Sequence, residues 1–585
     1  MGEERLLAQA RSGEVVDLDD LSQDERTVAA AFLRELCLDE TAAGADPRGI
    51  RVSGAAVAGR LDLEYCELPF PLRLRACFFD TNPVLRYCRL RVLELDGCML
   101  PSLDADGLHV DHDLVIRSST VSWDVQLPGA SIGGDLDLSG TTIGSEASGR
   151  EGVTALDAAG IAIGGSLHLD DGFGAMGQIR LHRARIVRQL NCRRATLTPR
   201  GPYPVLVADG AEIGTVFVDR GFRAEGSVRL VGARIGGQLN CGDAELTSRA
   251  EPVLWAELAT IEGGVYVQRG FRADGQIQLS GARIGGPLHC ENATLRSDLD
   301  APLSAEGADI GGDVVFGGRL SIAGGVSLDG ASVGGALRCE GATIEREGGT
   351  ALSARYARIG GALVLRNARV TGGLDLYKAT ASSLDDDLGE GQDARGSWAG
   401  IAPLVLEGFE YERFAERSVW ASALRFDWLR GTAAFEPGAW RRLADVYRDD
   451  GRDDDARRAL IARENDRLAR GGLAPHQRLG RWILRVTIGH GYRPWLAGLW
   501  ALAIVAVYAL LVWRFPGSFV PEDAAAGGPQ PFVYAADTFL PIIDFGEADA
   551  WTAVGGMRWA EWLVILLGWA LTTIFVAGFT RVVRT

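Results

Sequence analysis

Apolar positions between residues 181 and 342 recur in one phrase, LHRARIVRQLNC, LVGARIGGQLNC, LSGARIGGPLHC and LDGASVGGALRC, ending at Cys192, Cys241, Cys290 and Cys339. Each copy ends 49 residues after the last, and Phe173, Phe222, Phe271 and Leu320 keep the same interval. So do Gly177, Gly226, Gly275 and Gly324. Within each unit a small residue, a branched apolar residue, usually Gly-Gly, and then alternating apolar residues occur twice. The branched residues are Ile186, Ile213, Ile235, Ile261, Ile284, Ile310, Val333 and Ile359, at spacings alternating between 22 to 23 and 26 to 27. Period-two alternation over so few residues predicts short strands, and the glycine pairs predict corners. The expected fold is mainly β: a right-handed parallel β-helix with one coil per half-repeat and about 14 coils in all. Its length would be about 65 Å.

Taken in order, residues 1–48 are expected to form an N-terminal capping helix. Ser22-Gln-Asp-Glu25 is a capping box, and Val28, Phe32, Leu33 and Leu36 share one face of a helix ending near Leu38. The β-helix is assigned to 49–381, with strands beginning at Val57, and a linker rich in Gly and Asp (Asp385 to Asp387) to 382–403. A helical region covers 404–475, opened by a closing strand at 404–411 and a helix over 414–430. A basic juxtamembrane helix covers 476–494 and a membrane segment 495–585.

Early in the β-helix, Cys66, Cys77, Cys88 and Cys98 stand 11, 11 and 10 residues apart, each two residues before Leu68, Phe79, Leu90 or Leu100. Later the same slot holds alanine, as in Ala233 before Ile235 and Ala244 before Leu246. This small-x-large phrase resembles the pentapeptide-repeat family, in which the large residue fills the core and the small one packs at a corner. The helix pair over 435–470, broken at Gly451, places Leu443, Ala444, Tyr447 and Ala456 in a pattern resembling one tetratricopeptide-type hairpin. A single hairpin makes no peptide groove, so it reads as a spacer or docking element.

The stretch WLAGLWALAIVAVYALLVW (495–513) has no charge and the length needed to cross a bilayer, and WLVILLGWALTTIFVAGF (562–579) is a second span. Trp495, Trp513 and Trp562 stand at their ends. Arg478, Arg481, Arg485 and Arg493 precede the first span and Arg581 and Arg584 follow the second, whereas the connecting loop holds Arg514 and Arg558. Both termini are therefore expected inside. Residues 479–488 would lie along the inner surface as an amphipathic helix. The loop segment 532–547 resembles the pore loop of two-span potassium channels. That likeness makes Thr538, Asp544, Phe545, Gly546 and Glu547 candidate pore residues, although Asp544 replaces the glycine that opens the channel filter.

Composition narrows the chemistry. A net charge of −17 opposes nucleic-acid binding. Of the 60 basic residues only Lys378 is a lysine, which nearly excludes P-loop and Schiff-base chemistry. The four repeat cysteines would lie about 10 Å apart on alternate coils, beyond disulfide reach. For the first four, the 11-residue interval is not a zinc spacing, and core packing is the expected role. GFGAMG at 172–177 matches a dinucleotide fingerprint, but its neighbours GFRAEG and GFRADG precede strands. Likewise Ser131 and Ser332, in G-x-S-x-G, replace Arg234 and Arg283 of the repeat. His109, His112 and His289 belong to no ligand set. Arg220, Arg223, Arg269 and Arg272 recur at 49 and would stack as a surface ridge, with Glu225 and Asp274 beside them favouring internal ion pairing.

As a whole the chain resembles bacterial membrane proteins with a degenerate solenoid, a helical hairpin and a two-span segment carrying G-W-x-L-T-T, here Gly568 to Thr573. Some of these are labelled membrane-associated oxidoreductases, but no cofactor motif survives the repeat. No cofactor or metal is expected. The charged start MGEERLLAQARSGE lacks an export signal, which places the solenoid in the cytoplasm, held to the inner membrane by both spans. The expected role is non-enzymatic: a β-helix scaffold that binds a protein partner or assembles with itself. A channel with the solenoid as sensor is the alternative, and a redox enzyme a third.

Overall fold

A computed structural model describes residues 2–9, 12–38, 46–144, 154–298, 301–390, 394–493, 495–522 and 528–583. The chain divides into two compact units, one of residues 1–424 with 431–433 and one of residues 425–430 with 434–585.

The first unit is a parallel β-solenoid of about 14 coils, built from strands mostly two to four residues long. Glu212, Arg234, Thr260, Arg283, Asp309, Ser332 and Arg358 form one column, each the in-register partner of the next. The following residues, Ile213, Ile235, Ile261, Ile284, Ile310, Val333 and Ile359, are buried. They are the branched positions whose spacing announces the coil.

Interior columns explain why the repeat spans two coils. Phe173, Ala195, Phe222, Ala244, Phe271, Ala293, Leu320 and Ala342 occupy one column, all buried, each preceding a strand paired with the next. Stacked side chains share a coil spacing of about 4.8 Å, so a ring on one coil fills space above an alanine on the next. The cysteine column alternates in the same way: Val267 pairs with Cys290, and Cys290 with Phe316. Glycine pairs mark the corners through crowding. A Cβ on Gly311 would lie 2.5 Å from the carbonyl oxygen of Gly285, its counterpart one coil earlier. No side chain is tolerated there without parting the coils.

All nine cysteines are free thiols, and all but the half-buried Cys66 are buried. Near the N-terminus the columns run differently. Glu67 pairs with Arg89 and Phe78 with Met99, so Cys66 and Cys88, and likewise Cys77 and Cys98, sit on adjacent coils. The second column turns polar as it continues: the Cys98 amide donates to Ser119 Oγ at 3.0 Å, and the Ser119 amide to Thr141 Oγ1 at 3.2 Å.

Several expected boundaries change. Helices α1 (Gly2–Gln9) and α2 (Ala30–Leu38) flank the start, and α1 was not expected. The Ser22 hydroxyl does bond Glu25, at 2.7 Å, but it closes a turn instead of opening a helix. The β-branched Thr27 and Val28 then pair as a strand with Ala56–Ala58, covering the solenoid's first free edge, and Val16–Asp17 covers the neighbouring strand. The expected linker also belongs to the ladders. Thr380–Asp385, Ile401–Val405 and Glu410–Phe414 add strands beyond residue 381. Asp386 and Asp387 are buried: Asp386 accepts from the Trp398 indole at 2.9 Å, and Asp387 from the Ser397 amide and hydroxyl, both at 2.7 Å. The helix expected over 414–430 shortens to α3 (Ser422–Arg430).

The second unit contains the helical hairpin α4 (Pro437–Asp449) and α5 (Asp453–Arg470), followed by α6 (Pro475–Ile488). Leu443, Ala444, Tyr447 and Ala456 are buried between the hairpin helices, as their spacing implies. Next come α7 (Trp495–Arg514), α8 (Pro531–Phe539) and α9 (Gly556–Val583).

Phe271→Ala opens a cavity between two alanines and is expected to cost about 3–5 kcal/mol in denaturant unfolding. Burial pushes the Cys290 and Cys339 thiols up to about 12. Because the eight cysteines other than Cys66 are enclosed, titration of the native protein with a thiol reagent at pH 8 should label Cys66 alone, and denaturation should release the rest. Rapid labelling of Cys290 in the native state would contradict this packing.

Candidate functional site: the paired apolar helices and their loop

Two helices are long and apolar enough to cross a membrane, Trp495–Arg514 with mean hydropathy 2.3 and Gly556–Val576 with 1.7. Only 22% and 11% of these windows are buried in the protein itself, unlike a soluble core helix. Leu499, Leu502, Val507, Leu510, Leu566 and Trp569 stand exposed, which is favourable in an apolar medium.

Between them the chain folds back on itself. Phe519–Pro521 pairs antiparallel with Trp551–Ala553, closing the base of the loop. The α8 helix packs against both α7 and α9, which also touch each other. Phe519 meets Tyr534 edge-on at 5.1 Å, and the Tyr534 hydroxyl donates to Glu561 of α9 at 2.6 Å. Close approach of α8 to α9 depends on Gly568, where a Cβ would stand 2.0 Å from the carbonyl oxygen of Phe539. This accounts for the glycine of the G-W-x-L-T-T phrase.

The turn at 544–548 is organised by a residue that sequence reasoning missed. Asp537, buried on α8, accepts hydrogen bonds from the amides of Phe545 at 2.7 Å, Glu547 at 2.9 Å and Ala548 at 2.8 Å. Backbone donors with no strand or helix partner converge on one carboxylate. An acid inside the apolar run PFVYAADTF was the available signal. The five candidate pore residues fall around this hub. Asp544 accepts from the Gly546 amide at 2.7 Å, and Glu547 accepts from the Gln530 amide at 2.9 Å. Thr538 turns back to the Tyr534 carbonyl at 2.8 Å, while the Phe545 ring is exposed.

On the solenoid, Arg223 lies 3.6 Å from Glu245 of the next coil, and Glu245 pairs in register with both Arg223 and Arg272. Charge thus alternates along that column. Arg220 and Arg269 occupy left-handed corners on alternate coils, and Asp243 holds the same corner on the coil between them, its amide donating to the Gln268 carbonyl as that of Arg220 donates to Gly242. Glu225 and Asp274 flank Thr247 in another column and line an open groove of about 430 Å³. Ser131 and Ser332 sit in two-residue strands paired to neighbouring coils, and the fingerprint at 172–177 runs into the strand Gln178–Arg180. His289 stacks on Tyr266 at 5.6 Å, facing away from buried Cys290. Among the described residues no group of His, Cys, Asp or Glu is arranged to hold a metal.

Comparison with protein-family models, curated proteins and solved structures finds no match. The chain is defined by its own architecture, a parallel β-solenoid with a separate helical unit carrying two apolar helices.

Removing the charge at Asp537 should free the turn. Asp537→Asn is expected to accelerate amide hydrogen exchange at 545–548 by about 10- to 100-fold, corresponding to loss of charge-assisted bonds. Exchange over the solenoid strands should be unchanged. Unaltered exchange at 545–548 would show that other contacts hold the turn.

Proposed function

We propose that this protein is a non-enzymatic, membrane-anchored scaffold of the bacterial inner membrane, presenting its β-solenoid in the cytoplasm to a protein partner or to a second copy. The observation that carries this reading is the joining, in one chain, of a long parallel solenoid with two helices apolar enough to span a bilayer. Solenoids offer extended surfaces on which neighbouring coils present side chains side by side. Here Tyr65 and Tyr87 stack in parallel with ring centres 5.2 Å apart, exposed by 74% and 51%. Tyr356 and Tyr377 meet edge-on at 5.3 Å on later coils. Exposed aromatic pairs of this kind are favoured anchors for protein contacts. The pentapeptide-type phrase supports the same class of protein, since it also builds solenoids. Arginines before α7 and at the C-terminus, against Arg514 and Arg558 at the loop-side ends of α7 and α9, support cytoplasmic termini.

A second reading is a channel. It is favoured by α8 and its turn lying between the two apolar helices, with the solenoid as sensor.

One experiment addresses both. A photo-crosslinking amino acid at Tyr87 in intact cells is expected to yield a discrete adduct with a partner or with the protein itself. An impermeant thiol reagent should reach Glu522→Cys from outside and Gln477→Cys only after lysis. Absence of any adduct at solenoid positions, together with a conductance in planar bilayers that Gly546→Ala abolishes, would replace the scaffold by the channel.

A further inference from the structure

Between α5 and α6 lies a cavity of about 610 Å³ whose lining neither the repeat nor the apolar helices require. Arg463, Arg467, Arg481, Gln477, Glu464 and His490 converge on it. Glu464 is buried and accepts from Arg463 at 2.8 Å and from Arg481 across the cavity. Burial works to raise its pKa, but the bond from Arg463 and the charges of Arg463, Arg481 and Arg467 prevail and hold it below the usual carboxylate range. The carboxylate therefore fixes guanidinium groups from two helices while each retains unused N–H donors. Arg467 makes no ion pair among the described residues. Burial lowers the pKa of His490, whose Nε2 lies 3.3 Å from Asn465 Oδ1. The balance is three guanidinium groups against one carboxylate.

Position adds a second observation. His490 stands just ahead of α7, which begins at Trp495, and the Trp500 indole donates to the Val486 carbonyl at 3.0 Å, tying α6 to α7. One face of α6 lines the cavity through Gln477, Arg481 and Leu484. The far side of the helix leaves Leu479, Trp482 and Ile483 exposed by 59%, 54% and 41%, and of these Ile483 borders the cavity side, next to Gly480. A basic cavity whose edge at Gly480 passes to an uncovered apolar face at Ile483, at the end of an apolar helix, matches a molecule with an anionic head and hydrocarbon chains. Guanidinium forks suit phosphate oxygens in geometry as well as charge.

We infer that this cavity binds the phosphate of an anionic phospholipid, whose acyl chains pass Gly480 to reach the apolar side of α6 at Ile483. The inference rests on α7 and α9 spanning the membrane and is independent of the scaffold role. Alkaline extraction of membranes scores the spans separately.

The test is lipid retention by the full-length protein, purified in detergent and examined by native mass spectrometry with phosphatidylglycerol or phosphatidylcholine. Phosphatidylglycerol should be retained in preference, and Arg467→Gln should weaken its retention about tenfold, as loss of a charge-assisted contact does. Arg441→Gln, an exposed change on α4, should have no effect. Because Arg467 lies outside the ion pair with Glu464, its substitution leaves the α5–α6 junction intact. Equal retention of both lipids, unchanged retention in Arg467→Gln, or full displacement by millimolar inorganic phosphate would overturn the assignment.

Discussion

Backbone hydrogen bonds passing from coil to coil govern the solenoid's other dimensions. Because each strand pairs in register with its counterpart, every side chain stands about 4.8 Å from the equivalent side chain of the next coil. Identical large residues in every coil would compete for that space, and identical small ones would leave gaps. Alternation of Phe222, Ala244, Phe271 and Ala293 resolves both constraints, as does the cysteine column with Val267 and Phe316 between thiols. A structural period of one coil thereby becomes a sequence period of two. The glycine corners obey the same rule from outside, since Gly311 must pass under the Gly285 carbonyl.

Features generated by this ladder were the legible ones. The branched column from Ile213 to Ile359, the inward cysteines and the strand context of Ser131 and Ser332 all follow from counting positions against the repeat. Outside the repeat, local signals were real but their consequences depended on distant neighbours. Ser22 and Glu25 make the bond their spacing suggests, yet an unpaired edge at Ala56–Ala58 draws the following residues into a strand. Asp385 to Asp387 look like a solvated run, yet Asp386 and Asp387 are enclosed by Trp398 and Ser397, which return from ten or more residues away. No local window contains that information.

The helical unit shows the same division. Length and apolarity sufficed to locate α7 and α9, because a bilayer-spanning helix is defined by composition more than by partners. The role of Gly568 was not legible. Its neighbour, Phe539, lies 29 positions earlier, and only the packing of α8 on α9 reveals why a methyl group cannot stand there. The pore-like order of elements could be read, whereas the carboxylate that shapes the turn could not be singled out.

These misread places share a physical cause. Inside the solenoid, backbone donors find carbonyls one coil away, and few side chains are needed to complete the bonding. Where the ladder ends, and where helices meet irregular chain, donors lack such partners, and buried carboxylates replace them. Asp387 gathers backbone and side-chain donors at the last coils and Asp537 holds the loop amides, while between helices Asp466 accepts from the Trp440 indole and Arg470, and Glu464 joins Arg463 to Arg481. Each places a charge where apolar packing alone would be unfavourable to it, and each is compensated by several donors at once. Removing one partner from such a group leaves the others mispaired, so these sites tolerate substitution poorly. The acids that looked like surface charge in a strongly acidic chain are, at these junctions, its connecting elements.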